Sequence, residues 1–141
     1  MTLIEIEDSL PNGLHDAQIS RIEIDYEKRI VKFGIRLWTG DLSSTDESLH
    51  ETYQDGELTV TGLIYCIIEP PDPKYPYANT STITISAGSA TEEPIKTETA
   101  LPQQLPDGAF AYWLFVNEWN SFIHIAGMDA DIELQKKYNH V

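Results

Sequence analysis

The sequence predicts an all-β protein, a single-domain antiparallel sandwich or barrel of about seven strands spanning residues 1–141. Three observations lead there. Period-two alternation accounts for most apolar residues, prolines or glycines interrupt every helical pattern outside the N-terminal region, and alternating runs come in pairs joined by short polar connectors. A chain of 141 residues suits one domain. It buries roughly 68% of the surface its unfolded form exposes, enough to fold without a disulfide or a metal.

Ile22, Ile24 and Tyr26 alternate with Arg21, Glu23, Asp25 and Glu27, and Val31, Phe33, Ile35 and Leu37 then alternate with Lys32, Gly34 and Arg36. Only Glu27-Lys28-Arg29 separates the two runs, which predicts a tight hairpin. Leu58 to Ile68 is apolar on both faces, with Leu58, Val60, Ile64, Cys66 and Ile68 on one and Leu63, Tyr65 and Ile67 on the other. That pattern predicts one central, doubly covered strand. Thr82-Ile83-Thr84-Ile85 reads as a shorter strand rich in β-branched residues. Phe110 to Val116 again carries apolar and aromatic residues on both faces, and Phe122-Ile123-His124-Ile125 resumes after Asn117-Glu118-Trp119-Asn120, predicting a second hairpin. Met128, Ala130, Ile132 and Leu134, alternating with Asp129, Asp131 and Glu133, predict a last, half-exposed strand.

Three connections stand out. Residues 39–56 are rich in Ser, Thr, Asp and Glu, and no Lys or Arg occurs between Arg36 and Lys74, so a mobile acidic loop is expected there. Residues 69–77 hold four prolines, which block ladder hydrogen bonds and force a stiff, extended excursion. Residues 89–108, with Pro94, Pro102 and Pro106, are expected to cross from one sheet layer to the other.

Charge narrows the function. Asp and Glu number 23 against 9 Lys and Arg, a formal net charge of -14. Gripping a phosphate backbone or an anionic membrane requires a basic surface, so nucleic acid and membrane partners are excluded and a basic protein partner is favoured. Cys66 is the only cysteine, so no intramolecular disulfide forms. The longest apolar run, Leu63 to Ile68, is far short of the ~20 residues of a membrane helix, and Met1 to Leu10 carries Glu5, Glu7 and Asp8 where an export signal needs a basic start and an apolar run. A cytoplasmic location is expected.

The segments Leu10-Pro11-Asn12-Gly13-Leu14-His15-Asp16-Ala17, Ile68-Glu69-Pro70-Pro71-Asp72-Pro73-Lys74-Tyr75-Pro76-Tyr77 and Phe115-Val116-Asn117-Glu118-Trp119-Asn120-Ser121-Phe122-Ile123-His124 together resemble a family of small uncharacterised bacterial proteins, over most of the chain. The resemblance implies a bacterial cytoplasmic protein; with no activity established for the family, no catalytic residue is carried over. The opening His15-Asp16-Ala17, followed by an alternating Ile strand, is also similar to the start of several bacterial immunity-protein families, which neutralise toxins by binding them.

Seven side chains are candidates for a binding site: His15, Asp16, Glu69, Tyr75, Tyr77, Trp119 and His124. An imidazole beside a carboxylate suggests general-base chemistry at His15 and Asp16. Neighbours on a strand point to opposite faces, so His15 would have to find its carboxylate elsewhere, for example at Glu69; a turn cap for Asp16 and a strand-start hydrogen bond for His15 are the simpler roles. His124 is placed to meet His15 across the sheet near Asp16, Asp25 or Asp129, but no compact metal-ligand spacing is present, and neither metal nor cofactor is expected. Cys66, in the most apolar run, reads as an inert core thiol. The two PxxP spacings of 69–77 suit a structural loop better than a proline-recognition ligand. Tyr75 and Tyr77 offer contact area at low entropy cost, and Trp119 signals an interface if exposed and core closure if buried.

Three readings of function follow. The first is a noncatalytic, immunity-like acidic binding module for a basic partner, steered by the 39–56 loop. The second is a small-molecule-binding barrel or small enzyme in which His15, Glu69 and His124 converge on one pocket. The third is a homodimer that buries two-sided apolar strands against a copy of itself.

Overall fold

In the computed structural model, which describes residues 1–74, 82–91, 102, 104–135 and 138–139, the alternating runs become two antiparallel sheets. A short helix, α1 (Leu3–Ser9), comes first. The strands follow as β1 (Gln18–Asp25), β2 (Ile30–Trp38), β3 (Thr52–Thr61), β4 (Tyr65–Ile68), β5 (Ile85–Ala90), β6 (Phe110–Val116), β7 (Ser121–Gly127), β8 (Asp129–Leu134) and β9 (Tyr138–Asn139). The first sheet runs β1-β2-β3-β8, with β9 pairing the start of β3; the second runs β4-β7-β6-β5.

Register explains the core. Ile22, Phe33, Leu58 and Ile132 lie opposite one another across the first sheet, as do Ile24, Val31, Val60 and Ala130. Phe110, Tyr112, Leu114 and Val116 of β6 and Ile123 and Ile125 of β7 point inward from the second sheet, and the two sets join in one buried cluster. Helix α1 closes one end of it with Leu3 and Ile6, both fully buried. The helix was not expected, yet its start is written as a capping box: the Thr2 hydroxyl accepts from the Glu5 amide while the Glu5 carboxylate accepts from the Thr2 amide.

The expected central strand from Leu58 to Ile68 proves to be two strands in two sheets. Gly62 adopts φ +57° between β3 and β4, a left-handed turn that bends the chain out of one sheet and into the other. The partner ribbon bends alongside, at Gly127 and Met128 between β7 and β8, where the Met128 amide donates to the Thr61 carbonyl and the Ile64 amide to that of Ala126. A side chain at Gly127 would meet Val60 Cγ1 at 2.4 Å, so the bend admits no Cβ. At the opposite edge Gln18 bridges Thr84, and amide to carbonyl bonds run from Ile19 to Ile83 and between Ala17 and Ile85. The sandwich is therefore stitched along both edges.

Other expectations shift by several residues. The β5 strand begins at Ile85, so Thr84 contributes only the bridge and the strand lies downstream of the Thr82–Ile85 run. Since β5 and β6 are neighbours in one sheet, the segment expected to lead from one layer to the other joins two strands of the same layer. Residues 52–56 of the expected acidic loop are the first half of β3. The rest is crossed by hydrogen bonds. The Trp38 indole donates to the His50 carbonyl at 2.9 Å, the Asn12 amide to the carbonyls of Trp38 and Gly40, and a 3-10 turn at Glu47–Leu49 sits between. Hydroxyl and amide donors of Ser43 and Ser48 hold the carboxyls of Asp41 and Asp46 below the usual carboxylate range.

Candidate functional site

The outward faces of the two sheets obey different rules. A sheet with one face in water alternates apolar and polar side chains. The first sheet does so: Arg21, Glu57 and Glu133 line one outward row and Glu23, Lys32 and Asp131 the next. Its bases are paired, Arg21 with Glu23 and Glu57, Lys32 with Glu57, and Arg36 with Asp55. The strands of the second sheet contain no Asp, Glu, Lys or Arg at all.

Pairing assigns the outward rows of that second sheet. Ser89, Trp113, His124 and Ile67 form one, read from β5 through β6 and β7 to β4. Ala87, Phe115 and Phe122 form the next, which Glu69 extends because its amide donates to the Phe122 carbonyl. Ala111, Ala126 and Tyr65 form a third. Phe122 is the hub. Its ring meets Trp113 edge-on at 5.5 Å, Phe115 at 5.1 Å, and stacks with the His124 imidazole at 5.8 Å. Each such aromatic pair contributes about 0.5–1.5 kcal/mol beyond area burial. The large side chains of these rows are half-buried, whereas Ala87 and Ser89 on β5 are exposed, so the rings form a wall beside a low shelf.

Glu69 supplies the carboxylate at the corner of this face. Its Oε1 accepts from the Phe122 amide at 2.7 Å, and its Oε2 stands 3.5 Å from His124 Nε2 without a hydrogen bond. The His124 side chain is only 14% exposed and both ring nitrogens are buried without a hydrogen-bond partner. Burial raises the Tyr65 phenol on the same face. Cys66 points inward, and burial pushes its thiol up to about 11, so it offers no nucleophile at neutral pH.

The candidate residues separate into two places. Glu69 and His124 come together on the aromatic face. His15 lies instead against β5, its Nδ1 2.9 Å from the Ser86 carbonyl, and its Nε2 is 3.6 Å from Asp16. That contact corrects the expectation that the neighbours diverge: they lie in a turn, and Asp16 at φ +63° swings its carboxylate to the same side as the imidazole. The geometry of His15 thus runs to β5 and to Asp16, and in the second sheet β6 lies between β5 and the strand β7 that carries His124. Trp119 sits in the β6–β7 turn and packs against the core, closing it. Tyr75 and Tyr77 lie outside the described residues. Trp113, Phe115 and Phe122 carry no site motif of their own in the sequence; the two-sided apolar pattern of 110–116 marks the first two and the resumed run 122–125 the third. Among the described residues no three His, Cys, Asp or Glu side chains gather as metal ligands, and no helix is long and apolar enough to cross a membrane.

Fold and site together define an all-β sandwich with one charged outer face and one aromatic outer face whose strands carry no Asp, Glu, Lys or Arg. Comparisons with models of protein families, with curated proteins and with solved structures give no match, so the chemistry of the face is read from its own residues.

Proposed function

We propose that the chain is a noncatalytic acidic binding module for a basic protein partner, working in the bacterial cytoplasm in the manner of the immunity proteins its opening resembles. One observation carries the reading: the outer face of the second sheet, which solvation alone would leave polar, is aromatic and has no Asp, Glu, Lys or Arg on its strands. The sign of the partner follows from the net charge of -14 and from the pairing of the bases of the first sheet with acids. The alternative, a small enzyme using His15, Glu69 and His124, retains only the approach of Glu69 to His124. Association kinetics against a basic and an acidic probe protein of equal size test the proposal. Binding confined to the basic probe, with an on-rate that falls as salt rises, is expected. Equal binding of both probes, or of neither, rejects it.

A further inference from the structure

We infer that the outer face of the second sheet is an arginine-binding surface, on which a partner's guanidinium stacks against Trp113, Phe115 and Phe122 and pairs with Glu69. The inference rests on the reading of the chain as a module for basic partners, and it names the side chain that is held. Three features point to arginine. A planar, weakly hydrated guanidinium gains from lying on aromatic rings in a half-dry site, whereas a compact ammonium loses more hydration there. The relief of the face suits a basic segment that carries it: Ala87 lies directly across from Phe115 and Ser89 across from Trp113, so the small exposed residues of β5 leave a shelf for the partner's chain beside the ring wall. At the far end of the Ala87 row, Glu69 is 41% exposed, with its Oε2 facing His124 at a distance that forms no hydrogen bond. That oxygen is open to a charged donor.

Charge complementarity selects among occupants. A second copy of the chain would bring its own net charge of -14 and another Glu69 to the same place, and a nucleic acid would bring phosphates. A basic segment brings opposite charge to a face that has no Lys or Arg on its strands.

Calorimetric titration of the intact chain at low salt with an arginine-rich peptide, and with lysine and glutamine versions of that peptide, provides the test. The arginine peptide is expected to bind several-fold tighter than the lysine peptide, and the glutamine peptide not at all. Ala87→Arg and Ser89→Arg, at exposed positions that leave the core intact, should each weaken binding on the order of tenfold or more, with the melting temperature unchanged. Trp113→Ala and Glu69→Gln should weaken it as well, while Asp131→Asn on the first sheet leaves it as it was. Arginine-peptide binding that every variant of the face retains overturns the inference and leaves the module reading standing. Failure of all basic peptides and basic proteins to bind overturns both. A dimer in sedimentation that Ala87→Arg dissolves makes the occupant a second copy and also overturns it.

Discussion

Single ionisable side chains feel burial in ways that can be measured one at a time. Cys66 faces the core with its thiol pushed up to about 11, so the native protein should react with a thiol-directed disulfide reagent at neutral pH far more slowly than the denatured chain does. Rapid native labelling would show that β4 opens. Glu7 is half-buried beneath the Leu10–Leu14 turn, where desolvation raises its carboxyl above 4.5 despite a hydrogen bond at Leu14. A raised folded-state value means that the folded protein binds the proton more tightly than the unfolded chain does. Glu7 therefore favours the fold at low pH, and that contribution is lost as pH rises from 4.5 through the folded value. Glu7→Gln should then stabilise the protein at neutral pH by less than about 1 kcal/mol, since the site is partly solvated, and be neutral near pH 3. Denaturant melts at both pH values decide it, and equal effects at both would reject the assignment. At this scale the sequence was only partly legible. It placed Cys66 in the core and Glu69 near a strand end, but the meeting of His15 with Asp16 depends on the positive φ of Asp16, which no alternation pattern announces.

Elements were easier to read than the way they are joined. The hairpins β1–β2 and β6–β7 and the strand β8 follow their alternation closely, because one buried face fixes their register. The Leu58–Ile68 run misled because a strand that passes from one sheet to the other keeps an apolar pattern on both sides of the bend. Gly62 was the available signal, a glycine inside an apolar strand. Gly62→Ala places a Cβ within 2.8 Å of the Met128 side chain and at a φ that L residues rarely adopt. It should cost roughly 1–3 kcal/mol in urea unfolding, and a loss below about 0.5 kcal/mol would mean that the bend does not depend on it. Thr2→Ala removes half of the capping box of α1 and should cost about 1 kcal/mol by the same measurement.

For the molecule as a whole, charge and the aromatic face act against each other. At neutral pH each chain carries a formal -14, and long-range repulsion opposes the approach of two aromatic faces whose apolar surface would gain by meeting. The repulsion vanishes near the isoelectric point of about 4.4. Light scattering across a pH series should therefore show self-association centred near pH 4.4, absent at neutral pH in low salt and partly restored there by salt that screens the charge. If the aromatic face drives that contact, Ser89→Arg, which sets a fixed positive charge beside Trp113, should reduce the association at the new isoelectric point as well as at the old one. Loss of net charge alone cannot explain such a result, because the variant is also neutral at its own isoelectric point. Association unchanged at that pH would show that precipitation follows charge neutralisation anywhere on the surface, and would remove the aromatic face as the sticky surface of the molecule.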